Sequence, residues 1–65
     1  MNSNWYDKLT DQQLYDLGYN SASGLTPEET ALDVIPDGIF GTLAGAHFCD
    51  GFDDYRAGLA PRKLA

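Results

Sequence analysis

The chain has 65 residues, ten Asp and Glu against four Lys and Arg, a formal charge of −6 and one cysteine. That length allows one domain, marginal alone, and the lone Cys49 excludes an internal disulfide, so tight packing or a partner subunit must supply the stability. An acidic body is repelled by nucleic acid and acidic lipid and drawn to basic protein surfaces. The least polar stretch, residues 39–49, is far short of the roughly 20 apolar residues of a membrane span. The start MNSNWYDKL has neither a basic lead nor an apolar run, which reads as a cytoplasmic protein.

In chain order, residues 1–9 read as peripheral, with Trp5 and Tyr6 as lids on the core edge. Thr10 and Gln13 have capping-box spacing, and Leu9 with Leu14 has that of a hydrophobic staple. They predict a helix from Asp11 to about Ala22, closed by Gly24 in a left-handed conformation. Leu14, Gly18, Ser21 and Ala22 share one side of it, flanked by Tyr15 and Leu17, while Gln12, Gln13, Asp16 and Asn20 point away. Thr26-Pro27-Glu28-Glu29 has a second capping pattern and predicts a short helix ending near Asp33, because Pro36 resists continuation. A third helix is expected from Asp37 as cap, over about residues 38–57, with Phe40, Ala44, Phe48, Gly51, Phe52, Tyr55 and Leu59 on one side and Asp50, Asp53 and Asp54 on the other. The tail APRKLA, residues 60–65, reads as frayed.

Two stretches nearly repeat each other: LYDLGYNSASGL from Leu14 and HFCDGFDDYRAGL from His47. Each sets a glycine inside a helix, at a cost of about 1 kcal/mol against alanine. Close approach of a second backbone is the usual reason for such a glycine. Gly18 and Gly51 are therefore expected at an antiparallel crossing of the first and third helices, with Tyr15, Tyr19, Phe48 and Phe52 closing over it; chance similarity is the alternative. Gly41-x-x-x-Gly45 offers another close contact, either with a second copy of the chain or with the second helix of the same one.

The order Gly18, Tyr19, Gly24, then Phe48, Gly51, Phe52 and Tyr55 resembles the ribosome modulation factor family and the short bacteriophage proteins that share its two-helix pattern. The likeness covers about half the chain through a loose motif. It implies a two-helix shape and either ribosome association or, as in many small phage proteins, attachment to one host protein inside the host cytoplasm. The family's ribosome binding goes with a basic chain, and a charge of −6 departs from that.

The residues offer little to catalysis. His47 and Cys49 are two apart on a helix, hence about 200° apart around it, and do not form a dyad. His47, Asp50 and Asp54, at i, i+3 and i+7, line one strip and would hold a metal only with a further ligand; the plainer reading is a solvated face with His47 beside a carboxylate. GIFGTLAGAHF lacks the lysine and context of a phosphate loop. The expectation is thus a single all-α domain over residues 1–65: a small helical hairpin with a short intervening helix, dimeric through Gly41 and Gly45, not an enzyme, and without metal or cofactor. It would inhibit a host protein by covering a basic or DNA-binding surface of a transcription regulator or defence complex, with Asp16, Asp50, Asp53 and Asp54 as charges and Tyr19 and Arg56 at the rim. The carboxylates either imitate phosphates in this way or serve only solubility. A ribosome-associated translation modulator is the alternative function.

Overall fold

The computed structural model describes residues 5–64, for Trp5 the backbone alone; Trp5 as a lid and the segment 1–4 lie outside the described residues. A 3-10 turn, Trp5–Lys8, leads to α1, Asp11–Ser23; the short α2, Ala31–Val34, and a second 3-10 turn, Asp37–Ile39, lead to α3, Leu43–Arg56. No strand occurs among the described residues. The all-α class and the packing of two long helices with a short one between them are as the sequence indicates.

α1 starts where its cap requires. The Thr10 hydroxyl accepts the Gln13 N–H at 3.1 Å, and Gln13 Oε1 accepts the Thr10 N–H at 2.8 Å. At its end Gly24 has φ −100° and is not left-handed. The last carbonyls are closed instead by tight bonds from Gly24 N–H to Ser21 O and from Leu25 N–H to Ala22 O, which need no special backbone region.

The Thr26 pattern makes one turn and not a helix: the Glu29 carboxylate accepts the Thr26 N–H at 2.9 Å, and the Glu29 N–H bonds back to Thr26 O. α2 begins only at Ala31, after Thr30, whose N–H is taken by the Asp33 carboxylate at 2.7 Å. It stops before Ile35-Pro36, as a proline dictates.

α3 also starts later than the periodicity suggests. Asp37–Ile39 forms a separate 3-10 turn, Gly41 adopts φ +81°, and Thr42 becomes the cap, accepting the Gly45 N–H and donating to Ile39 O at 2.6 Å. The positive φ ends any continuous helix through residues 38–42. Phe40 therefore leaves the apolar stripe and stands 60% exposed, and Leu59, beyond the end of α3, is exposed as well.

The core is small. Leu14, Tyr15 and Ala22 of α1 meet Phe48 and Phe52 of α3, with Ile35 and Ile39 of the connection closing one end and Tyr6 and Leu9 packed at its edge. Full burial of such an apolar side chain contributes about 1.5–3 kcal/mol each. A 13-residue helix such as α1 is marginal in water by itself. The helices thus persist because they cover each other.

They cover each other in the same direction, not antiparallel. His47 lies beside Asp11, the Gly51 backbone against Tyr15, and the Tyr55 ring against Tyr19: both helices advance together. Residues 24–42 carry the chain back along α1 so that α3 can start again at the same end. The repeated phrase now has a physical meaning. A Cβ on Gly18 would lie 1.8 Å from the Phe48 carbonyl oxygen, and one on Gly51 would lie 2.0 Å from that of Tyr15. Each helix reads aromatic-x-x-Gly, and each glycine seats on the carbonyl of the other helix's aromatic residue. The contact is reciprocal, and the aromatic residues, Tyr15 at 0% and Phe48 at 1% exposure, are the largest fully buried side chains.

Candidate functional site

At about 100° per residue, α3 divides its circumference into three flanks. Phe48, Gly51 and Phe52 face α1 and the core. A second flank, with His47 and Asp54, meets the N-terminal part of α1 and the C-terminal tail. The third, with Ala46, Cys49, Asp50 and Asp53, faces away from both.

The second flank holds a network that the sequence did not announce. The Tyr15 hydroxyl donates to the Asp54 carboxylate, the same carboxylate takes Arg62 Nε–H at 2.6 Å, and the Arg62 backbone N–H donates to Tyr15 Oη at 2.9 Å. The Arg62 guanidinium also lies over the Tyr15 ring, 5.5 Å from its centre. Gln12 grips the tail from α1: its amide nitrogen donates to Arg62 O at 3.1 Å and to Asp16 at 2.9 Å, and its oxygen accepts the Leu64 N–H at 2.6 Å. The described part of the tail, residues 60–64, is therefore tied down and not frayed. The hydrogen bonds from Tyr15 and Arg62 hold the Asp54 carboxyl below the ordinary aspartate range, and the bond to Asp54, followed by that to Tyr15, lifts Arg62.

The expected partner-binding residues divide accordingly. Asp54 is not a bare charge; its side chain is 13% exposed and paired to Arg62. Asp16 is half-buried and accepts from Gln12. Tyr19 donates its hydroxyl to Leu59 O at 2.6 Å and stands edge-on to Tyr55, their ring centres 5.2 Å apart. Arg56 binds its own chain. Its guanidinium donates to the carbonyls of Thr26, Pro27 and Glu29 at 2.7–3.2 Å and covers the Phe52 ring. Asp50 and Asp53 remain exposed, and neither forms an ion pair among the described residues.

The strip of His47, Asp50 and Asp54 does not converge. His47 Nε2 lies 3.5 Å from Asp11, and Asp54 is engaged by Tyr15 and Arg62. No group of three or more His, Cys, Asp or Glu side chains is placed to share a metal ion among the described residues. Gly41 and Gly45 form no shared ridge either, so the packing argument for a dimer through them falls. Gly41 lies in the turn before α3 with open space around it, and Gly45 is buried against its own chain, where a Cβ would lie 2.2 Å from Ile39 O.

Beside Asp50 and Asp53 lies an apolar cleft of about 330 Å³, between the turn after Ile39 and α3, with Ile35, Phe40, Ala46 and Cys49 in its walls. Burial, followed by the charges of Asp53 and Asp50, pushes the Cys49 thiol above its ordinary range. Leu43, at the start of α3, is 81% exposed. The periodic pattern hides the cleft because it runs through Phe40; Gly41-Thr42, a glycine followed by a cap residue, is the signal that marks the break. None of the known family profiles matches the chain, and no curated protein or solved structure matches it either. No helix among the described residues is long and apolar enough to cross a membrane.

Proposed function

We propose that the chain is a small binding protein of the phage-inhibitor type, which covers a basic, DNA-binding kind of surface on a host protein such as a transcription regulator or defence complex. One observation carries this reading. Two of its four basic side chains, Arg56 and Arg62, are spent on the chain's own carbonyls and on Asp54, while Asp50 and Asp53 project unpaired from a rigid helix. A charge of −6 with that internal use of cations leaves a face that attracts a cationic surface and repels phosphate.

The acidic face is accordingly narrower than the sequence suggests: Asp50 and Asp53 carry it, Asp16 is half-buried on α1 and bonded to Gln12, and Asp54, Tyr19 and Arg56 serve the fold. Affinity capture from a host lysate with wild-type protein and with Asp50→Lys/Asp53→Lys tests the reading. The expected result is a basic partner retained by the wild type and lost by the double variant, with equal melting of both proteins. Capture that is indifferent to the reversal, or co-sedimentation with ribosomes as the translation-modulator alternative requires, overturns it.

A further inference from the structure

The acidic residues of α3 and the apolar cleft form one continuous surface. Ala46, Cys49 and Asp53 follow each other at i, i+3 and i+7 and so line a single helical stripe, with Asp50 beside it. The stripe is apolar where the cleft opens and anionic one turn further along. Phe40, 60% exposed and in no ring contact among the described residues, forms the opposite wall. Resting on the binding function proposed above, we infer that this cleft receives the apolar side of a basic amphipathic helix from another protein, with lysines or arginines one turn along the occupant meeting Asp50 and Asp53.

Charge complementarity selects this occupant. A second copy of the chain brings −6 against −6, and its Arg56 and Arg62 are already engaged. Nucleic acid offers no apolar ridge and carries the wrong charge. A helix with apolar residues at i, i+3, i+4 and i+7 and cations alongside supplies both chemistries at matching spacing.

The test is a fluorescence-anisotropy titration with a labelled, amidated Leu/Lys peptide of about five helical turns, its leucines at i, i+3, i+4 and i+7. A scrambled peptide of the same composition is the control, and both are measured at physiological ionic strength. The patterned peptide is expected to bind wild-type protein about tenfold or more tightly than the scrambled one. Phe40→Ala, Ala46→Arg and Asp50→Lys/Asp53→Lys are each expected to weaken it by about tenfold. All of these positions are exposed, so far-UV circular dichroism and melting should stay at wild-type values. Equal binding of the two peptides, or indifference to Ala46→Arg, overturns the cleft; if charge reversal still abolishes binding in that case, the acidic-face reading survives without it. Dependence on Phe40 and Ala46 without dependence on Asp50 and Asp53 overturns the basic occupant and the acidic face together. A wild-type dimer that Ala46→Arg dissociates in sedimentation overturns the inference in favour of a self-interface.

Discussion

Gly18 and Gly51 show how one missing carbon decides a contact. Alanine is the better helix former by about 1 kcal/mol, so propensity alone favours Gly→Ala at both sites. Packing opposes it: the added carbon meets a backbone carbonyl at 1.8 or 2.0 Å, and a main-chain oxygen yields only if the helices separate. Overpacking costs about 1–3 kcal/mol, and each kcal/mol shifts the melting temperature of so small a domain by roughly 4–8 °C. Gly18→Ala and Gly51→Ala are therefore expected to melt lower, whereas Gly24→Ala, with nothing within 4 Å and a negative φ, should be neutral or slightly stabilising. Equal melting of all three in a thermal scan would remove the glycine contact as the organising feature. Asp54 makes the second prediction. Its carboxyl is held below the ordinary aspartate range in the folded chain, so its contribution is complete above that range and is lost as pH falls through the lower folded value. The melting-temperature gap between wild type and Asp54→Ala should be clear at pH 7 and narrow toward about pH 3. A gap that is constant with pH means that charge plays no part in the Tyr15–Asp54–Arg62 network. At this scale the sequence shows which glycines are unusual, because a glycine in a helix is costly. It hides Asp54, since Asp50, Asp53 and Asp54 look alike until Tyr15 and Arg62 arrive from distant positions.

The elements differ in how openly the chain announces them. α1 is legible from end to end because its cap and apolar face agree; the departures are the geometry of Gly24 and the outer side, where Gln12 grips the tail and Asp16 is half-buried. α3 is legible in its middle, where Phe48, Gly51 and Phe52 recur, and misread at its start, because the periodic pattern runs back through Phe40 while Gly41 breaks the backbone beneath it. The loop after α1 looks like a helix start because Thr26 and Glu29 satisfy each other in a single turn as well as they would in a helix. What fixes that loop is Arg56, which reaches from the last turn of α3 to three of its carbonyls. Hydrogen bonds from a charged donor are worth about 1.5–3 kcal/mol when shielded and less at an exposed site such as this. Arg56→Ala should therefore cost about 1 kcal/mol and raise amide hydrogen exchange at Glu29, whose N–H closes the Thr26 turn, while exchange in the core of α1 follows global stability alone. Unchanged exchange at Glu29 would assign the loop's order to some other contact.

Across the whole molecule, the direction of packing is what the sequence leaves open. Parallel and antiparallel helices bury the same apolar faces, and a segment as long as 24–42 reaches either end of α1. The reciprocal seating of each glycine on the other helix's aromatic carbonyl, together with Asp11 beside His47 and Tyr19 beside Tyr55, is what makes the parallel arrangement visible. The candidate surface was half legible for a related reason. Its charges stand in the sequence, but which of them stay bare depends on where Arg56 and Arg62 go. The tail carries one more consequence. Its main chain bonds at alternate residues, Arg62 and Leu64, as a strand bonds along one edge, except that the opposing groups are the side chains of Tyr15 and Gln12. Pro61 sits one step out of phase and has no N–H to give. Inserting a single residue between Ala57 and Ala60 would bring that proline under the phenol and silence the donor, so the spacing of the tail residues is set to a single position even though almost none of them is buried.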